Sequence, residues 1–133
     1  MRKERSTDHP QVPTNVSGIK VDRDMWPLIR ELWIRGVITT YSCQGYPKFV
    51  DQTEWDAKRY RAYIQLDHDE KGMAFIVDLL SSYQGFKNNH ISWDIEFDWN
   101  PGDPKHRRIC IRFPHEEIAP LVKFLHYKNE VML

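Results

Sequence analysis

The segment Ser42-Cys43-Gln44-Gly45 gathers a hydroxyl, a thiol, a carboxamide and a glycine in consecutive positions. A cysteine in such a place can serve as nucleophile, redox thiol or lone metal ligand. Catalysis requires a base or a cationic environment that favours the thiolate. His68 is the first candidate for that base, since it closes a predicted strand, and His90 and His115 are others. Ser42 and Gln44 offer hydrogen-bonding groups, while Gly45 can open backbone N–H groups to an anion. With Tyr46 these residues make a polar turn suited to non-covalent binding of a ligand or partner. A tight turn that simply packs its cysteine has the same sequence.

Three further clusters carry ionisable groups. Asp67-His68-Asp69-Glu70 places oxygen and imidazole ligands together, although an acidic helix start needs the same residues. Asp94, Glu96 and Asp98 share one face of a predicted strand, where opposing arginines would make them cross-strand ion pairs. Lys105-His106-Arg107-Arg108, with Arg112 beyond, is the strongest basic patch. Tyr46, Trp55 and Tyr63 could supply stacking surfaces for exposed bases. Neither cysteine has a C-x2-C neighbour and no H-E-x-x-H occurs, so neither a structural zinc site nor a cofactor is expected. Walker A, GxGxxG and G-x-S-x-G patterns are absent too, which lowers the common nucleotide-binding and esterase classes.

The elements that must position these groups follow from periodicity. Met25, Leu28, Ile29, Leu32 and Trp33 predict a helix over 24–35, with Asp24 as N-cap, Pro27 in the first turn and Gly36 as C-cap. The run 37–41 reads as a short strand that ends at Ser42. Residues 61–66 alternate as a half-buried strand, and 73–83 forms a helix with a wide apolar face including Val77 and Leu80. Ile91, Trp93, Ile95 and Phe97 alternate, as do Ile109, Ile111 and Phe113, which predicts a β-hairpin. A turn near Asp103 sets Asp98 opposite Arg108, Asp94 opposite Arg112 and Glu96 beside Cys110. A last helix covers 119–128. The expected fold is therefore α/β of the α+β kind, a two-layer sandwich of order αββαββα. Its four-stranded, partly antiparallel sheet carries helices mainly on one face.

A chain of 133 residues with 41% hydrophobic residues can build one core, so residues 18–133 are expected as a single domain. Residues 1–17 are polar, hold Pro10 and Pro13, and read as a flexible arm. Cys43 and Cys110 form no dense disulfide framework, which favours reduced thiols and a cytoplasmic location. No apolar run reaches the roughly 18–20 residues of a membrane span. Lysine plus arginine equals aspartate plus glutamate at 19 each, so no general attraction to nucleic acid or anionic lipid arises.

The stretch from Leu32 to Gly45, LWIRGVITTYSCQG, resembles a group of small bacterial and phage proteins that carry an “LNxxGIxTxxSCEG”-like stretch. Gln44 stands where that pattern has an acid, and the resemblance implies no established activity. Ser42, Cys43 and Gly45 are also similar to the Ser-Cys-Ser-Gly-Arg pattern of the tRNA wybutosine-synthesis methyltransferase family. Gln44 and Tyr46 depart from it, so S-adenosylmethionine binding and RNA methylation are not carried over.

The expected function is that of a small accessory or binding protein that meets a protein or small ligand through Ser42, Gln44, Gly45 and Tyr46. The enzyme alternative is a cysteine-dependent hydrolase or transferase using Cys43 and His68. The third reading is nucleic-acid binding through Lys105, Arg107 and Arg108.

Overall fold

The computed structural model describes residues 9–45, 61–98 and 107–132. Strands β1 (Gln11–Pro13) and β2 (Lys20–Asp22) pair antiparallel, with Val12 opposite Val21. Thr14 fixes their turn: its hydroxyl donates to the Ile19 carbonyl at 2.9 Å and accepts the Val16 N–H at 3.1 Å. Residues 9–13, expected within the flexible arm, are therefore folded. The Arg23 N–H donates to the Pro10 carbonyl at 2.7 Å, so the chain is also tied down just before β1.

A 3-10 turn (Arg23–Met25) leads into helix α1 (Trp26–Ile34), with Pro27 in its first turn. Gly36 follows with φ +88°, and the Val37 N–H returns to the Leu32 carbonyl, which closes the helix at the expected glycine. Strands β3 (Thr39–Cys43) and β4 (Arg61–Asp67) come next, then α2 (Glu70–Ser82) and the short α3 (Gln84–Asn88). Strands β5 (Asp94–Asp98) and β6 (Arg108–Pro114) precede α4 (Ile118–Met132). The β1–β2 hairpin and α3 correct the expected αββαββα order.

The main sheet has the order β3-β4-β6-β5, and every pairing in it is antiparallel rather than only some. Ala62, Ile64 and Leu66 of β4 and Ile109, Ile111 and Phe113 of β6 are buried on one face. They share a core with Leu28, Ile29 and Leu32 of α1, Phe75, Ile76 and Leu79 of α2, and Leu121 and Leu125 of α4. The alternation seen in the sequence is thus the alternation of the core.

Two expectations shift. Val77 and Leu80 lie exposed, because α2 turns Phe75, Ile76 and Leu79 inward and buries a narrower stripe. Ile91 is 85% exposed in a 3-10 turn (His90–Ser92), so β5 begins only at Asp94, past the start of the alternating run. The predicted register nevertheless holds: Asp94 faces Arg112, Glu96 faces Cys110 and Asp98 faces Arg108. Among the described residues, no helix is long and apolar enough to cross a membrane.

Candidate functional site

Cys43 is the last residue of β3, opposite Tyr63 of β4, and is partly buried. Immediately beyond it, the chain is locked. Gln44 is 7% exposed; its Oε1 accepts the Asp24 N–H at 2.9 Å and its Nε2 donates to Asp24 Oδ2 at 3.2 Å. The helix start expected to be capped by the Asp24 side chain is instead met by Gln44, from 20 positions away. The backbone N–H of Gln44 donates to Asp22 Oδ2 at 2.9 Å, and its carbonyl lies 2.7 Å from His115 Nδ1.

Gly45 has φ +68°, and a Cβ there would stand 2.4 Å from the Arg61 carbonyl oxygen. Only glycine satisfies both the left-handed backbone and that approach. Gln44 and Gly45 therefore position the end of β3 and are not themselves an open contact surface.

What this lock presents is Cys43 beside two residues from the N-terminal hairpin. One nitrogen of His9, one carboxylate oxygen of Asp22 and the sulfur of Cys43 all lie within 4.8 Å of one another. His9 precedes β1 and is 5% exposed; Asp22 ends β2 and is 4% exposed. Both Asp22 oxygens are held: Oδ2 by Gln44, and Oδ1 by Gln11 Nε2 at 3.3 Å. A buried carboxylate needs such donors. Among the described residues, no lysine or arginine reaches Asp22 within ion-pair distance.

Two depressions lie nearby, and His9, Asp22 and Cys43 are not among the described residues that line them. A depression of about 280 Å³ is lined by Gln11, Val21, Trp33, Thr39, Tyr41 and Ser42. Another, of about 390 Å³, lies between Asp24, Pro27, His115 and Ile118. Imidazole, carboxylate and thiol together can hold a transition metal, or activate the thiol through the imidazole.

The other sequence candidates lie elsewhere. Cys43 pairs with Tyr63, and His68 comes five residues later, beyond the far end of β4, roughly 16 Å along the strand direction. The His68 ring packs against Phe97 at 5.3 Å. The structure does not bring Cys43 and His68 together. His90 belongs to the turn before β5, whereas His115 reaches the locked turn through Gln44. Asp69 caps α2, its Oδ1 accepting the Gly72 N–H at 2.8 Å, which accounts for the acidic run as a helix start.

Arg108 lies 3.5 Å from Asp67, and Arg112 lies 3.0 Å from Glu96 with its guanidinium 4.7 Å from the Tyr63 ring centre. Arg61 holds Asp94 at 3.0 Å. Arg107 is exposed at the entry to β6, and its carbonyl accepts the His68 N–H at 3.3 Å. Cys110 is buried and accepts the Tyr63 hydroxyl at 3.3 Å. Burial first, and then that hydrogen bond, push the Tyr63 phenol up to about 12. Tyr46, Trp55 and Lys105 lie outside the described residues.

Sequence reasoning missed His9 and Asp22. The signal was present in Val12 and Val21 flanking the Ser17-Gly18 turn, a weak hairpin cue. Comparison of the chain with protein-family models, with curated proteins and with solved structures gives no match.

Proposed function

We propose that the chain is a small binding protein whose working site is the Cys43 end of β3 together with the N-terminal hairpin. Three separate segments deliver an imidazole, a carboxylate and a thiol to one point, and this convergence carries the reading. Ser42 precedes Cys43 in β3 and lines a depression, and Gln44 and Gly45 hold the frame of the strand end. The two thiols and the absence of a disulfide suit a reducing compartment, and we place the protein in a cytoplasm as an accessory factor.

The enzyme alternative survives in altered form, with His9 in the position of the base and His68 set aside. A nucleic-acid role is weaker, because Arg108 and Arg112 are each engaged by a carboxylate.

The test is the stability and thiol reactivity of chelator-treated protein. A binding site held ready for a ligand contributes little to folding. Cys43→Ser and His9→Ala should each cost less than about 1 kcal/mol in urea unfolding. Losses above about 3 kcal/mol would make the cluster a packing node and reject the proposal. Alkylation of Cys43 at the rate of an ordinary thiol fits binding, whereas markedly faster alkylation would favour the enzyme.

A further inference from the structure

We infer that His9, Asp22 and Cys43 ligate a divalent transition-metal ion of the zinc class. This rests on the reading of the cluster as a binding site and names its ligand.

The donor set excludes the hard cations. Magnesium and calcium take oxygen ligands almost throughout, whereas a thiolate with an imidazole suits zinc and its neighbours in the first transition row. Tetrahedral zinc has bonds of about 2.0–2.3 Å, which place its ligand atoms roughly 3.3–3.6 Å apart. The three donor atoms here already lie within 4.8 Å of one another, so contraction onto an ion needs only small side-chain movements.

Charge points the same way. Asp22 is 4% exposed, and among the described residues no lysine or arginine stands within ion-pair distance of it. A dication would balance the buried carboxylate. Binding forms a metal–sulfur bond at Cys43 as the thiol proton passes to solvent.

The outer contacts of a metal site are also in place. Gln44 N–H and Gln11 Nε2 each hold one Asp22 oxygen, which fixes how the carboxylate is presented. His9 and Asp22 are buried while Cys43 is only partly so. Among the described residues the site has three protein ligands, whereas structural zinc takes four.

The test uses cobalt(II) as a spectroscopic probe on chelator-treated full-length protein, followed by displacement with zinc. The inference predicts one equivalent bound, with a thiolate-to-cobalt charge-transfer band and the visible bands of four-coordinate cobalt. Cys43→Ser should abolish the charge-transfer band. His9→Ala and Asp22→Asn should each weaken binding by about 100-fold or more, since even outer-contact changes cost about 10–100-fold. Gln11→Ala should weaken it by about 10-fold. Circular dichroism of each variant checks folding.

No charge-transfer band in the parent, or binding indifferent to all three substitutions, overturns the metal assignment. If the metal-free variants keep their stability in that outcome, only the metal has failed and the binding site stands. If they unfold, the binding reading has failed with it.

Discussion

The molecule gathers ionisable side chains in two places and treats them in opposite ways. On the part-exposed face of the sheet, between β4, β6 and β5, each of three acids meets an arginine: Asp94 with Arg61, Glu96 with Arg112, Asp67 with Arg108. Where β3 ends, Asp22 is buried with an imidazole and a thiol and meets no arginine or lysine among the described residues. The first arrangement is neutral and half-solvated, so it holds strands in register at little cost. The second withdraws a carboxylate from water with no lysine or arginine beside it among the described residues, which a bound ligand would offset. The same residue types thus form a structural face in one region and a candidate site in the other.

The frame of the site should be far more sensitive than the face. Gly45→Ala should destabilise by about 3–4 kcal/mol in urea unfolding, because a Cβ would meet the Arg61 carbonyl in a left-handed backbone. An alanine tolerated there would show that the turn adapts, and the contrast would blur. Gln44→Ala should cost about 2 kcal/mol, through loss of its two amide hydrogen bonds to Asp24. On the open face, Arg112→Ala should cost only about 1 kcal/mol, combining a solvated ion pair with the contact over Tyr63. Asp94→Asn should fall within about 0.5 kcal/mol of the parent.

A pH dependence is expected as well. Burial and the Cys110 contact raise the folded-state pKa of Tyr63 to about 12, above the 10.0 of an ordinary phenol. The folded protein therefore holds this proton more tightly than the unfolded chain. That contribution is fully present below about pH 10 and is lost as pH rises toward 12. Phenolate absorbance during alkaline titration should show Tyr63 ionising late and Tyr83, buried and donating to Glu117, later still; Tyr63→Phe should remove the first of these steps. A normal titration of all observed tyrosines would contradict it.

The open face was legible in the sequence because strict alternation fixes which residues oppose each other. Asp94 faces Arg112 as predicted, yet Arg112 reaches diagonally to Glu96 and Asp94 is held by Arg61 from β4. Register follows from period two, whereas ion-pair choice depends on sheet order and side-chain reach, which one strand pair does not specify. The Ser42-Cys43-Gln44-Gly45 segment reads as a turn in the sequence, yet Ser42 and Cys43 close β3 and only Gln44 and Gly45 lie beyond it. Its partners were not legible, because His9 and Asp22 come from a hairpin of three-residue strands. Strands that short leave almost no periodicity, and Pro10 and Pro13 made the segment look unstructured. Gln44 supplied the other surprise. Asp24 had the composition of an N-cap, but tertiary packing let a distant carboxamide take its N–H.

The central claim is that the Cys43 cluster is held for a ligand and not for the fold. The most direct measurement is the unfolding free energy of chelator-treated Asp22→Asn beside that of the parent. An asparagine keeps an acceptor for the Gln44 N–H and removes the buried charge. The metal-free variant should be as stable as the parent or more stable by about 1 kcal/mol. A loss of about 3 kcal/mol or more would show that the carboxylate serves the fold, and would contradict the claim.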